Sequence, residues 1–269
     1  MTNSLPRVHF APSELLNPLN PITVNIIGAG GTGSKLLTGI ARINHCLLAG
    51  GRCGLHVRLF DDDIISEANR GRQLFTSAEV GLNKSVVLIN RINRAFGTNW
   101  KAVPSRYNKE YCSKHGESTT AVITVGCVDN VASRLFIVDF LKWMARDTSH
   151  YTRNRPTYYI DFGNSRHTGQ VVFSTLSKVK QPDSKKFQPV DTLPLITEEF
   201  GQLLKESGND DNTPSCSLAE ALYKQSLFIN SSLAELGGSL LSELFMEGMI
   251  FNRGFFHNLK SFNTSPIPV

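Results

Sequence analysis

A chain of 269 residues with 41% hydrophobic content and a formal net charge of +5 has room for one large domain or two small ones and enough apolar side chains for a core, which excludes a disordered protein. Lys and Arg are scattered rather than run together, so a nucleic-acid surface is not indicated. Five cysteines form no Cys-x-x-Cys pair, so no zinc site is expected, and no stretch nears the ~18 uninterrupted apolar residues of a membrane span.

In chain order, residues 1–20 carry Pro6, Pro12 and Pro18 and read as an irregular arm without the apolar segment of a secretory signal. Residues 21–177 hold an alternation of strands and helices. A buried strand is expected at 22–28, a helix at 32–47, a strand at 55–60, a polar arginine-rich loop at 66–75 and a helix at 77–96 (Val80, Val87, Leu88, Ile92, Phe96). Further strands are expected near 99–104, 120–126, 157–162 and 169–175. A short helix is expected at 108–115, and another at 131–145 that Asn130 can cap. Residues 178–215 read as a crossover connection with a short helix near 197–206, and residues 216–269 as a C-terminal helix and strands completing the same domain. The apolar run from Ser217 to Phe245 suits a core helix or a dimer face.

The first strand runs into Gly28-Ala29-Gly30-Gly31-Thr32-Gly33, and the next ends in Asp61-Asp62-Asp63. Gly28 suits a tight turn, Gly30 the close approach of backbone to a phosphate, and Gly33 the packing of helix on strand. The helix that follows favours an anion at its N-terminus, and Asp61 can accept hydrogen bonds from ribose hydroxyls. Gly28, Asp61 and Asp129 all fall at strand C-termini, where doubly wound sheets bind ligands. The expected fold is therefore α/β: a doubly wound, Rossmann-like, mostly parallel sheet with helices on both faces and a C-terminal helical and β extension.

The loop beyond Asp61 narrows the reading. The order Gly-x-Gly-Gly-x-Gly, Asp61-x-Asp63-Ile64, Asn69-x-x-Arg72-Gln73, Gly81-x-x-Lys84 and Asp129-Asn130 resembles the ThiF/MoeB/HesA superfamily of ubiquitin-activating-like adenylating enzymes, over residues 22–130. Residues 160–164 (Ile-Asp-Phe-Gly-Asn) and Asn258-Leu259-Lys260-Ser261 look like the ThiF-type member of the PRTRC plasmid-associated system.

The resemblance implies ATP and Mg²⁺ as cofactors. It assigns Gly28, Gly30, Gly31 and Gly33 to the nucleotide turn, Asp61 to the ribose, Asn69 and Arg72 to the phosphates, and Lys84 to charge between the α- and β-phosphates. Asp129 would organise Mg²⁺, and Asp63 either binds metal or bonds the loop backbone. The odd count and wide spacing of the cysteines suggest reduced thiols in a cytoplasmic protein, and the resemblance further implies a homodimer and adenylation of the C-terminal carboxylate of a small ubiquitin-like protein with a flexible tail. A conjugating protein or sulfur carrier would follow as acceptor. An arm arginine, here Arg7, would reach across the dimer.

Pro214-Ser215-Cys216-Ser217-Leu218 resembles the Pro-x-Cys-(Thr/Ser)-Leu motif around the thioester cysteine of those enzymes. Cys216 is thus either a nucleophile, with its thiol acidified at a helix start, or an ordinary helix-start cysteine. Lys84 can equally be an exposed helix-start lysine, and Asp129 a helix cap beside Asn130. Arg70 fills a position where the family often has an apolar residue. The other readings of the same glycine turn are an NAD(P)-binding oxidoreductase, in which Arg72 and Lys84 would be idle, and a non-catalytic nucleotide-binding adaptor.

Overall fold

The computed structural model describes residues 5–73, 75–146, 153–201 and 226–269. In chain order the elements open with β1 (Arg7–Phe10), α1 (Ser13–Leu16), β2 (Ile22–Ile27), α2 (Gly31–Ala49), β3 (Leu55–Phe60) and α3 (Arg70–Gln73). They continue with α4 (Lys84–Phe96), β4 (Lys101–Val103), α5 (Lys109–His115), β5 (Ile123–Gly126), α6 (Val131–Arg146), β6 (Tyr158–Asn164) and β7 (Thr168–Thr175). The last are β8 (Gln188–Pro189), α7 (Ile196–Glu199), α8 (Ile229–Met246), β9 (Met249–Ile250), β10 (Asn252–Asn258) and β11 (Asn263–Pro268).

The main sheet has eight strands in the order β11-β10-β7-β6-β5-β2-β3-β4. From β4 to β6 the strands are parallel, and β7, β10 and β11 extend the sheet in antiparallel fashion. All six residues of β2 are buried, as a central parallel strand covered on both faces requires. Its alternate side chains feed two cores. Val24 and Ile26 join Leu36, Leu37 and Ile40 of α2, Val87 and Leu88 of α4 and Leu241 and Leu244 of α8. Ile27 joins Cys112 of α5 and Ile137 and Leu141 of α6 on the other side. Asn25, a polar residue in this buried strand, is satisfied. It donates to the Thr119 carbonyl (2.7 Å) and accepts from Arg58 Nε (2.9 Å). The chain leaves β2 toward β3 on one side and returns to β5 on the other, so the order reverses between β2 and β5, the place where doubly wound sheets form a crevice beyond their strand C-termini.

Three sequence expectations differ from the structure. Residues 7–10 are not irregular: β1 is the middle strand of a small sheet, parallel to β8 and antiparallel to β9. The helix expected over 77–96 begins only at Lys84. Gly81 takes φ 89°, and Asn83 caps the new helix by accepting from Val86 N (3.1 Å), two stop-and-start signals that outweigh the apolar spacing. The expected helix from Ser217 starts, within the described residues, at Ile229, and residues 217–225 lie outside them. No described helix is long and apolar enough to cross a membrane.

Candidate active site

The crevice is framed by three strand ends held at one level. Ile27 pairs with Phe60 of β3 and with Gly126 of β5. Beyond that level Gly28 N donates to the Phe60 carbonyl (2.9 Å) and Cys127 N to the Ile27 carbonyl (2.8 Å). Gly28 sits at φ 97°, and a Cβ there would stand 2.6 Å from the Cys127 carbonyl oxygen; a Cβ on Gly33 would stand 1.9 Å from the Gly28 oxygen. The glycine turn is therefore wedged between α2 and the loop after β5. Gly30 differs: a Cβ there would meet nothing within 4 Å. It is the N-cap of the 19-residue helix α2, with no side chain capping it. An uncapped helix start leaves its first backbone N–H groups without intrahelical partners, and these fit phosphate oxygens. Gly31 is closed off by Asn230 of α8, whose Oδ1 accepts from Thr32 Oγ1 (2.8 Å).

At the end of β3, Asp61 is oriented by backbone: Oδ2 accepts from Ala29 N (2.5 Å) and Oδ1 from Asp63 N (3.0 Å). Each oxygen keeps acceptor capacity for a ribose hydroxyl. Burial pushes its carboxyl above the usual range, against the pull of the Ala29 N–H and of Lys84, and the nearby Asp63 adds to the rise. The Asp61 carbonyl also accepts from Asn83 Nδ2 (3.0 Å), which bonds the Asp63 carbonyl as well (3.1 Å). Lys84 N donates to the same Asp63 carbonyl (3.0 Å). Lys84 is no solvated helix-start lysine: it is 6% exposed, and its Nζ donates to Asp63 Oδ2 at 2.7 Å. A buried ammonium is costly without a partner, and Asp63, itself mostly exposed, supplies one at the crevice mouth.

Asp129 lies exposed in the loop between β5 and α6. Its neighbour Asn130 does the capping, accepting from Ser133 N (2.8 Å) and donating to Asp129 Oδ1 (3.2 Å). A surface carboxylate at a strand end, in the loop whose Cys127 and Val128 backbone packs on Gly28, is a fitting donor for a hard cation. Asn69 spends its Oδ1 on Ser66 N (2.9 Å) and Ser66 Oγ (3.1 Å). Arg70 pairs with Glu67 at 2.7 Å on the surface, which accounts for the polar residue there. The backbone of Arg72 is in α3, but its side chain lies outside the described residues, as does Cys216. Arg7 lies in β1, beside a cavity of about 1040 Å³ that Lys178, Lys180 and Asp191 also line; none of the crevice residues lines it. Among the described residues no cluster of three His, Cys, Asp or Glu is placed to hold a metal.

Sequence reasoning missed Asn83, Asn230 and the Arg134–Asp161 pair behind the Asp129 loop. Asn83 was visible as a cap residue two positions after a glycine. Asn230 had no local signal, since its contact spans 198 positions.

The glycine turn, the acidic strand ends and the switch point are those of an α/β protein of the doubly wound class. The model of the ThiF family matches residues 3–245, and the chain belongs to that family. No curated protein matches it. Among solved structures it is similar to PaaA (14% identity, TM-score 0.59, 95% of this chain and 65% of that one). It is also similar to E. coli MccB solved with MccA (15%, TM-score 0.57, 95% and 65%) and to E. coli MccB alone (15%, TM-score 0.58, 95% and 63%). The chain thus spans about two thirds of the length of those proteins, and at such identities the likeness is one of fold.

Proposed function

We propose that the chain is an ATP-dependent adenylyltransferase acting on the C-terminal carboxylate of a small partner protein. The observation that carries this reading is the buried Lys84 fixed on Asp63, beside the Asp61 carboxylate and the open Gly30 helix start. A nucleotide oxidoreductase would have no use for a buried lysine there. In the proposed reaction a carboxylate oxygen of the partner attacks the α-phosphorus of ATP. The bond to the bridging oxygen of pyrophosphate breaks, pyrophosphate leaves with that electron pair, and an acyl-adenylate forms.

Asp61 would hold the ribose by accepting from its hydroxyls. Gly30 and the first turn of α2 would bind phosphate oxygens through backbone N–H groups. Asn69 and Arg72 would hold the phosphates, and Lys84 would offset the negative charge that builds between the α- and β-phosphates. Asp129 would hold Mg²⁺, whose chemistry is to neutralise phosphate charge. Membership of the ThiF family and the fold likeness to MccB, solved with MccA, support a protein or peptide partner. A ubiquitin-like partner with a flexible tail, a homodimer, and attack of the Cys216 thiolate on the acyl-adenylate, which forms a thioester and releases AMP, complete the reading, with a conjugating protein or sulfur carrier as the last acceptor.

Thermal unfolding with ATP and with NAD tests the first step. A ligand at one hundred times its Kd stabilises by about 2.7 kcal/mol, and the melting point is expected to rise with Mg·ATP and not with NAD. Lys84→Met should lower ATP affinity at least ~10-fold while keeping the fold, because it leaves only the solvent-facing Asp63 without its partner. A rise with NAD alone would defeat the reading.

A further inference from the structure

Arg134 sits where an apolar residue is expected. On α6 the buried positions are Ile137, Val138, Leu141 and Ala145, and Arg134 shares that stripe at 7% exposure. Its guanidinium makes three bonds. Nη1 donates to Asp161 Oδ2 (2.5 Å), and Nη2 donates to the carbonyls of Val128 (2.9 Å) and Phe162 (3.0 Å). Asp161, on β6, is fully buried and accepts from the Tyr159 hydroxyl with its other oxygen (3.0 Å). Two glycines clear the space: a Cβ on Gly126 would stand 2.3 Å from the Tyr159 hydroxyl, and one on Gly163 would stand 2.8 Å from Arg134 Nη1.

A buried ion pair of this kind is poor value for stability, since packed apolar residues of the same volume serve as well or better. What apolar residues cannot do is reach two carbonyls on different segments at once. One of those carbonyls, Phe162, belongs to the rigid sheet. The other, Val128, is the residue before Asp129, in a stretch that no strand or helix orders. The guanidinium therefore straps the loop after β5 to the end of β6, and Asp161 holds the strap at a fixed angle.

We propose that Arg134, anchored on Asp161, is a positioning residue that fixes the Val128–Asp129 backbone and so sets where the Asp129 carboxylate meets the metal-bound phosphates. The proposal rests on the ATP reading above, and its test separates the two. Arg134→Met alone leaves Asp161 buried without its counter-charge, held only by the Tyr159 hydroxyl, and is expected to destabilise. The paired variant Arg134→Met/Asp161→Leu, made on a Tyr159→Phe background so that no buried hydroxyl loses its acceptor, removes both charges and should unfold at a denaturant concentration near that of the Tyr159→Phe parent.

Two readouts follow on the paired variant. Amide hydrogen exchange of residues 128–130, measured without nucleotide, should quicken at least ~10-fold. The gain in ATP affinity that Mg²⁺ confers over EDTA should shrink by a similar factor. A purely structural pair would return both to parent values together with stability, and that result overturns the proposal. If the paired variant does not fold, Arg134→Lys takes its place. It keeps the charge beside Asp161 but cannot hold both carbonyls, and unchanged exchange in it is equally fatal. A parent protein that binds no ATP would sink the functional reading and the role assigned to Asp129, while the exchange data would still decide the strap.

Discussion

Asp61 is the residue where burial and function pull against each other. Its carboxyl is raised by desolvation, so between the ordinary aspartate value of about 3.9 and its folded value the native state holds a proton that the unfolded chain has released. Stability from this group is then fully present below the unfolded value and is lost as pH rises through the folded one. The difference in unfolding free energy between the parent and Asp61→Asn, followed by urea titration from pH 4 to 7, is expected to drift in favour of Asn as pH rises. A flat difference would mean that Asp61 is not desolvated. The residue scale is also where the sequence was least legible. The motif order alone assigns Lys84 to the phosphates, with an exposed helix-start lysine as the other reading, because a lone lysine carries no mark of the carboxylate it will meet. Its burial comes from a turn that only the folded loop of residues 61–83 creates. Arg134 was passed over for a related reason: a charge inside an apolar helix is read as one solvated position unless a buried partner is known.

At the scale of elements, the unit made by β2, the glycine turn and α2 separates two uses of glycine that one motif conceals. A methyl at Gly33 would overlap the Gly28 carbonyl, and nothing can give, because Gly28 is backed by Cys127. Gly33→Ala should therefore cost about 3 kcal/mol or more. A methyl at Gly30 has open space around it and a backbone of φ −73° that alanine tolerates, so Gly30→Ala should stay within ~0.5 kcal/mol of the parent in stability. It should nonetheless weaken ATP binding, because the methyl enters the proposed phosphate cradle. Denaturant titration and calorimetric binding on the two variants check the contrast; equal effects of the two on both would remove the distinction. This part of the fold was legible because its signals are local. A buried strand, a turn that needs positive φ and an amphipathic helix each announce themselves within a few residues. The late start of α4 was legible in principle from Gly81 and Asn83, but the apolar spacing from Val80 onward concealed it.

At the scale of the whole molecule, the doubly wound half follows from contiguous segments, whereas the small sheet β8-β1-β9 does not. Its strands have four, two and two residues, too few for a pattern. Their partners are set by position in space. Val8 and His9 are fully buried, and His9 bridges the Val190 carbonyl (2.7 Å) and the Tyr158 hydroxyl (2.8 Å). Burial lowers its imidazole pKa against the pull of the Val190 carbonyl and of Asp191. Deleting residues 1–10 should therefore cost about 3 kcal/mol or more, from lost Val8 burial and an orphaned Tyr158 hydroxyl. A deletion variant with an unchanged urea midpoint would deny the arm its structural part. The same small sheet carries a consequence for biosynthesis. Residues 7–10 are made long before Met249–Ile250, one of their two neighbouring strands. The nascent chain must shelter this half-matched segment until Met249–Ile250 has been made, a pairing of large sequence separation that closes late.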